Sequence, residues 1–379
     1  MPGYITKRSK SSYTVVVDLG RDPVTGKRRQ LSRSVKGAKR EAEALLVQLL
    51  HQRDAGVDAP PGKLTVADYL QKWLSEYARP NTAPKTYARY EQYVRLHLNP
   101  ALGSIVLAKL RPLHIQAVYT AMQQKGLTAR TALHCHRLLR NALQQAVRWQ
   151  LLGRNPCDAV EPPRSARYEV PALTIDQAQA ILDAAGGTRY GALVYLAITT
   201  GLRQGELLGL RWRDVDLDAG RLSVRQTCQW LSGQGFIFRQ PKTHRSTRPV
   251  ALSPGTVERL HQHRVSELEK RLAAGAYWQD HDLVFTDYLG KPIHPHTLWD
   301  GWRLIIRQTG IALRFHDLRH AHASLMLAQG THAKIVQERL GHSTISTTLD
   351  IYSHVAPGLQ EEAAARFDQL LGRRAVKHP

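Results

Sequence analysis

Cysteine is scarce in this chain: three in 379 residues, at Cys135, Cys157 and Cys228, far apart and without a paired spacing. That pattern points to a reducing compartment and away from a zinc knuckle. Long apolar runs are also missing. The N-terminal stretch MPGYITKRSKSSYTVVVDLG has no signal-type apolar core, and the run from Ala192 to Thr200 is too short to span a bilayer. A soluble, intracellular protein without a membrane partner is expected. Acidic side chains are the third shortage, 31 against 53 Lys and Arg, for a formal net charge of +22. Such a balance favours a polyanion, and contacts to DNA of this kind release counterions and weaken steeply with salt. Solubility explains the charge less well, because acidic residues serve it equally. The length allows two or three domains, with 42% hydrophobic residues for ordinary cores.

The densest chemistry lies from Arg314 to His354, RFHDLRHAHASLMLAQGTHAKIVQERLGHSTISTTLDIYSH. Imidazoles, a guanidinium and a tyrosine crowd into short helical segments, a poor way to build a core and a good way to hold a phosphate. A helix starting after Phe315 sets His316 and Arg319 one turn apart and turns Ala323, Leu325 and Met326 towards a core. Gly330 stops it. Thr331 caps a second helix with Ile335, Val336 and Leu340 as its apolar face, Gly341 stops that helix, and His342 follows. A last short helix carries Leu349 and Ile351 inward and delivers Tyr352 ahead of Pro357 and Gly358. Each residue alone has an ordinary structural reading: a Tyr packs, an Arg three residues before a Glu makes an intrahelical ion pair, and a Lys in a polar turn is solvated. His316, His320 and His322 include a metal-like spacing. Asp317 is the only acid nearby, so no metal is expected, and His320 and His322 read as supporting or packing residues.

The order His316, Arg319, His342, Tyr352 resembles the C-terminal signature of the tyrosine recombinases, the phage integrase family, in which HxxR precedes GH and then the nucleophilic Tyr. Upstream, GLRQGELLGLRW (201–212) is similar to that family's first-arginine motif, with Arg203 as catalytic arginine and Glu206 as its companion. RQPKTHRSTRPVAL (239–252) resembles the family's β-hairpin and puts Lys242 at the catalytic lysine. The order Arg248, Pro249, Val250 departs from the usual Val-Pro and leaves the pairing of the last strand open. All six catalytic positions are filled in family order over the C-terminal half of the chain.

In chain order, residues 1–58 read as a small sheet plus a helix. Tyr13, Val15, Val17 and Leu19 alternate, a turn-rich GRDPVTGK and a basic KRRQLSRSVK follow, and Lys39 to Gln52 is a helix with Leu45, Leu46, Leu49 and Leu50 on one side. At the front of an integrase this resembles an arm-type DNA-binding domain, with Arg28, Arg29, Arg33 and Lys36 on the sheet's polar face as groove or phosphate contacts. Residues 64–160 are helical, opening where Thr65 caps a helix and continuing over 84–97, 112–124 and 128–150. They resemble the family's core-binding bundle, with Lys85, Arg89, Arg130, His134, Arg137 and Arg140 on polar faces as DNA contacts. Residues 161–172, with three prolines, form a linker. Residues 173–379 form the catalytic domain, opened by a Thr174–Gln177 capping box, with a buried helix over 193–199 and Arg203 on the next helix. A three-stranded sheet follows Asp214, with Lys242 near its second turn. A tail helix, 358–372, gathers Ala364, Phe367, Leu370 and Leu371 on one face. The fold class expected is multidomain and mainly α with small β-sheets, the catalytic domain being α+β.

The resemblance implies DNA strand transfer through a 3′-phosphotyrosyl intermediate, needing neither metal, ATP nor another cofactor. It also implies the partners: double-stranded DNA attachment sites, a homotetramer on that DNA, an excisionase and a host DNA-bending protein. The setting implied is a bacterial cytoplasm, at the nucleoid when bound, with a phage or other mobile element as the cargo and viral genome integration as one outcome. A non-catalytic, sequence-specific DNA-binding regulator is the first alternative, and a metal-dependent nuclease the second.

Overall fold

The computed structural model describes residues 3–9, 11–21, 28–54, 64–165, 173–240, 247–346, 348–349, 364–365 and 367–369. The chain divides into two compact units, Met1–Arg167 and Tyr168–Pro379.

The first unit begins with β1 (Gly3–Ser9), β2 (Ser12–Arg21) and β3 (Arg28–Lys36), an antiparallel sheet in the order β1-β2-β3. Helix α1 (Lys39–Asp54) packs Leu49 against Val15 and Val17, with Leu45, Leu46 and Leu50 around them. Register corrects one sequence expectation. Val15 pairs with Arg33, Val17 with Leu31 and Tyr13 with Val35, and cross-strand partners share a face. Arg33 therefore lies on the helix-facing side, while Arg28 and Lys36 lie on the other, so the basic residues do not share one polar face. Arg28 also pairs with Asp18 at 2.6 Å.

The rest of this unit is a helical bundle: α2 (Val66–Trp73), α3 (Arg79–Asn81), α4 (Pro84–Tyr93), α5 (Asn99–Leu102), α6 (Pro112–Gln124) and α7 (Ala129–Arg148). Thr65 and Asp68 close a reciprocal capping box at the start of α2. Single π turns, Leu74–Ala78 and Val94–Leu98, lead into α3 and α5, each of which carries a proline in its first turn. A proline clashes with the carbonyl four residues back and donates no N–H, and widening the preceding turn relieves both problems. The core gathers Tyr69, Leu70, Trp73, Leu98, Ile115, Tyr119, Leu139 and Leu143, all fully buried.

The second unit starts with α8 (Ile175–Gly186), capped by Thr174 and Gln177. It continues with the buried α9 (Gly191–Thr200) and the short α10 (Gln204–Leu208). Strands β4 (Val215–Asp216), β5 (Arg221–Val224) and β8 (Arg248–Ala251) form one antiparallel sheet, and β6 (Thr227–Leu231) with β7 (Gly235–Arg239) forms a separate hairpin. The three-stranded sheet thus takes its third strand from after position 247. Lys242 lies outside the described residues. All four residues of β8 keep partners in β5. Pro249 is tolerated because β8 is an edge strand.

Helices α11 (Pro254–Ala274), α12 (Pro295–Thr309), α13 (Asp317–Ala328) and α14 (Ala333–Leu340) complete the unit. Three local expectations change here. The cap of α14 is His332, whose ring accepts from the Lys334 amide, one residue beyond Thr331. Ile335 is 55% exposed and Leu349 46% exposed, while Val336 and Leu340 pack on Ala323 and Leu327. Eight residues give only two turns, enough to bury one narrow stripe. Ile351, Tyr352, Leu370, Leu371 and most of the expected linker and tail helix lie outside the described residues. Ala364 and Phe367 are exposed. No described helix is long and apolar enough to cross a membrane.

Candidate active site

The site is built where three chain reversals meet. The first is the end of α9, where Gly201 adopts φ +65° and the chain turns into α10. A side chain there would bring its Cβ to 2.5 Å from Leu340 Cδ2 and 2.7 Å from His322 Cδ2, so glycine is required by space as well as by conformation. The second is the start of α13 at His316. The third is Gly341, left-handed at φ +67°, which ends α14 and releases His342.

Arg203 stands at the N-cap of α10 and not within it, as the sequence pattern alone suggested. Its amide donates to Glu206 Oε2 at 3.0 Å, Nη1 to Oε1 at 2.7 Å, and Nη2 reaches the Gly341 carbonyl at 3.4 Å. Glu206 is buried and also receives Arg248, at 3.3 Å and 3.1 Å. Burial alone would raise its carboxyl, but Arg248 and then Arg203 overcome that and hold it below the ordinary range. Arg248 Nε in turn donates to the Arg339 carbonyl at 2.6 Å.

Arg319, buried on α13, donates from Nη1 to the Gly201 carbonyl at 2.8 Å and from Nη2 to the Leu340 carbonyl at 2.6 Å. One guanidinium thus ties the α9 turn to the end of α14. Burial, then the nearby Arg203, lowers Arg319 to about 9, still protonated at neutral pH. Among the described residues, the guanidiniums of Arg203 and Arg248 bind the Glu206 carboxylate and that of Arg319 lies within its field, while Arg339 packs beside Arg248 with its own guanidinium on His322 and the Thr199 carbonyl. Asp317 does not relieve them, because its buried carboxylate is taken by Arg314 at 2.8 Å and 2.9 Å.

The imidazoles around this cationic centre are neutral. Burial, then Arg319 and Arg203, lowers His342 to about 3. Burial, then His320 and Arg319, lowers His316, and burial lowers His320 against the opposing effect of Asp317. His316 and His320 meet edge to face, 5.9 Å between ring centres. His322 packs underneath: its Nδ1–H donates to the Ile198 carbonyl at 2.8 Å and its Nε2 accepts from Arg339 at 3.2 Å. No group of three or more potential metal ligands occurs among the described residues.

Of the residues expected from sequence, Arg203, Glu206, His316, Arg319, His320 and His342 come together, and Lys242 and Tyr352 lie outside the described residues. Sequence reasoning missed the structural part played by Arg248 and Arg339. A signal for Arg248 existed: it alternates with Val250 on the buried side of β8, with Pro249 and Ala251 exposed, and an arginine at a core position needs a buried anion. Arg339 carried no comparable signal.

Of the DNA-contact candidates, Arg89 and the α7 residues Arg130 and Arg137 converge around His134 and depress its protonation after burial. Tyr93 lies between, stacked on His134 at 6.3 Å with Arg89 5.5 Å over its ring. Lys85 is exposed on α4. Arg140 instead pairs with Asp158 at 2.8 Å.

Comparisons with known proteins give the family. The profile of the phage integrase family matches residues 171–358, and that of the phage integrase N-terminal SAM-like domain matches 65–123. A tyrosine recombinase XerC-like protein of Caldanaerobacter subterraneus subsp. tengcongensis is 31% identical over 96% of this chain and 97% of its own length. The ICEBs1 integrase of Bacillus subtilis is 25% identical over 97% of this chain and all of its own length. Among solved structures, the Tn1549 transposon integrase in complex with transposon right end DNA superposes with a TM-score of 0.69, at 20% identity, covering 81% of this chain and 100% of that one. A lambda integrase tetramer bound to a Holliday junction gives 0.58 at 20% identity, covering 92% and 95%. These structural likenesses establish the shared fold, and the regulator and nuclease readings are not favoured. The chain belongs to the phage integrase family: it is a tyrosine-type, site-specific DNA recombinase.

Proposed function

We propose that this recombinase joins a phage or other mobile element to its target and excises it again, through a 3′-phosphotyrosyl intermediate at double-stranded attachment sites. The observation that carries the reading is the preorganised pair of guanidiniums, Arg203 and Arg319, each fixed through a backbone carbonyl beside a neutral His342. In the pentavalent transition state the nonbridging oxygens gather negative charge, and the two arginines with His342 donate to them. Tyr352 Oη forms the bond to phosphorus, and the bond from phosphorus to the 5′ oxygen breaks. His316, neutral, takes the phenolic proton, and Lys242 gives one to the departing oxygen. The freed 5′ hydroxyl of a partner strand reverses these steps at another phosphotyrosine. The ester energy is conserved, so neither ATP nor metal enters the balance.

In this reading residues 1–58 contact arm-type DNA, 64–160 grip core DNA, 161–172 link them to the catalytic domain 173–379, and the protein works as a tetramer whose tail, 358–372, docks on a neighbouring protomer or on its own domain. Arg28 and Lys36, on the sheet face away from α1, serve the arm contact. Lys85, Arg89, Arg130 and Arg137 serve the core contact, and the convergence of the last three around the Tyr93–His134 stack supports it. An excisionase and a host DNA-bending protein set direction, in a bacterial cytoplasm. The test incubates the protein in EDTA at low salt with end-labelled DNA carrying its attachment core and a nick that lets the cleaved end diffuse away. A protease-sensitive labelled adduct, lost in Tyr352→Phe and weakened about a hundredfold or more in Arg203→Ala, is the expected result. Specific binding with no adduct overturns it.

A further inference from the structure

His342 leaves the Gly341 turn with its ring largely enclosed, and Nδ1 lies 2.9 Å from the hydroxyl of Thr348. Thr348 is completely buried, and His342 is the hydrogen-bond partner of that hydroxyl among the described residues. Its amide bonds the Ile345 carbonyl at 2.9 Å, closing a turn whose last residue is four positions before Tyr352 in the sequence. Two proton arrangements satisfy the contact. Either the hydroxyl donates to Nδ1, or Nδ1–H donates to the hydroxyl oxygen. A neutral ring carries one proton, so the first arrangement leaves N–H at Nε2 and the second leaves Nε2 a bare acceptor, useless to a phosphoryl oxygen.

We propose that Thr348 is a positioning residue: its hydroxyl donates to Nδ1 of His342 and holds the ring's proton on Nε2, where it faces the scissile phosphate. The inference rests on the reading of His342 as a donor to the scissile phosphate. His342 is neutral throughout the physiological range, so one tautomer must be selected, and among the described residues the group at Nδ1 is the uncharged Thr348 hydroxyl. The arrangement resembles the partner that orients a metal-bound or catalytic imidazole elsewhere, with a hydroxyl in place of a carboxylate.

The experiment uses the full chain labelled with ¹⁵N-histidine, His342 being assigned by the signal missing from His342→Asn. Long-range ¹⁵N–¹H spectra report which ring nitrogen holds the proton, and single-turnover adduct formation on nicked attachment DNA reports the chemistry. The wild type is expected to show Nε2–H. Thr348→Val, nearly the same shape without the hydroxyl, is expected to move His342 towards Nδ1–H and to slow adduct formation about 10- to 100-fold, with DNA affinity unchanged. Thr348→Ser is expected to keep the tautomer and a rate within about threefold of wild type. Nδ1–H in the wild type, Nε2–H retained in Thr348→Val, or Thr348→Ser as slow as Thr348→Val would each overturn the proposal. A wild type that forms no adduct refutes the functional reading instead, while the spectra still decide the tautomer.

Discussion

Removing the Arg248 guanidinium tests the electrostatic frame of the site without touching a group assigned to the chemistry. In Arg248→Met the buried carboxylate of Glu206 keeps one hydrogen-bonded guanidinium among the described residues, Arg203, whose own side chain is 38% exposed, with Arg319 acting on it without a hydrogen bond. Breaking a buried pair by deleting one partner typically costs about 3–5 kcal/mol, because the remaining charge is stranded. The pH dependence distinguishes this from simple loss of packing. In the wild type Glu206 is held below the ordinary carboxylate range, so its contribution is present above that range and is lost as pH falls through the depressed value. In the variant burial prevails and the carboxyl rises. Protonation then relieves the stranded charge, and the penalty shrinks as pH falls from 7 towards 5. Hydrogen exchange followed by mass spectrometry on peptides spanning 201–210 and 336–342 reads the local free energy. Protection should fall roughly a hundred- to several-thousand-fold at pH 7 and measurably less at pH 5, after correction for intrinsic exchange. An equal loss at both pH values, or a loss below about fivefold, refutes the argument.

Gly201→Ala must place a Cβ against Leu340 and His322 at positive φ, so it should lose about 1–3 kcal/mol in urea denaturation and slow adduct formation as Gly341 shifts. His322, lowered to about 4 by burial and Arg339, stays unprotonated where an unfolded histidine binds a proton. Stability present above about pH 6.5 is therefore lost as pH falls towards 4, by about 2 kcal/mol at pH 5, and His322→Asn should flatten that slope. Arg89→Ala and Arg137→Ala should each weaken DNA binding and reduce the salt slope by about one unit, as measured by titration at several salt concentrations. Arg140→Ala, already paired with Asp158, should change the slope less.

What the sequence disclosed follows the range of the interactions. The capping boxes at Thr65 and Thr174 and the left-handed stops at Gly201 and Gly341 are set within four residues, and local pattern suffices to find them. Arg33 shows the same rule misapplied: it alternates with Leu31 and Val35, so parity placed it on the helix side, and grouping it by charge with Arg28 and Lys36 ignored that count. The frame of the site was not legible. Arg319 finds its acceptors at Gly201 and Leu340, and Arg248 reaches Glu206 across 42 positions. A guanidinium aimed at a carbonyl leaves no periodic trace in sequence.

That frame explains how the site stays cationic while buried. Arg319 commits two N–H groups to carbonyls among the described residues, and Arg203 commits its two Nη atoms to Glu206 and Gly341. A guanidinium has five donors, so each keeps N–H groups for a ligand while its plane is already fixed. Arg319 is lowered first by burial and then by repulsion from Arg203, against an opposing contribution from Glu206. A phosphodiester adds one negative charge at this point, and the transition state concentrates more on the same oxygens. Repulsion among these guanidiniums is thus relieved most where charge is greatest, which favours the transition state over the ground state. Glu206 must be strong enough to hold the arginines together and too weak, alone, to neutralise them. A second carboxylate here, as in Gly341→Asp, would satisfy the guanidiniums in advance, besides straining the left-handed turn. Leu202→Glu, next to Arg203 but not at a left-handed position, adds the charge from a buried core position, and Leu202→Gln, of the same shape, carries the same packing cost, so the difference between the two reads the charge. Leu202→Glu should leave DNA affinity within about tenfold while suppressing adduct formation by more than that, and the neutral Leu202→Gln should retain most of the rate. Equal loss in both variants would mean that packing around Leu202, and not unneutralised charge, sustains the reaction.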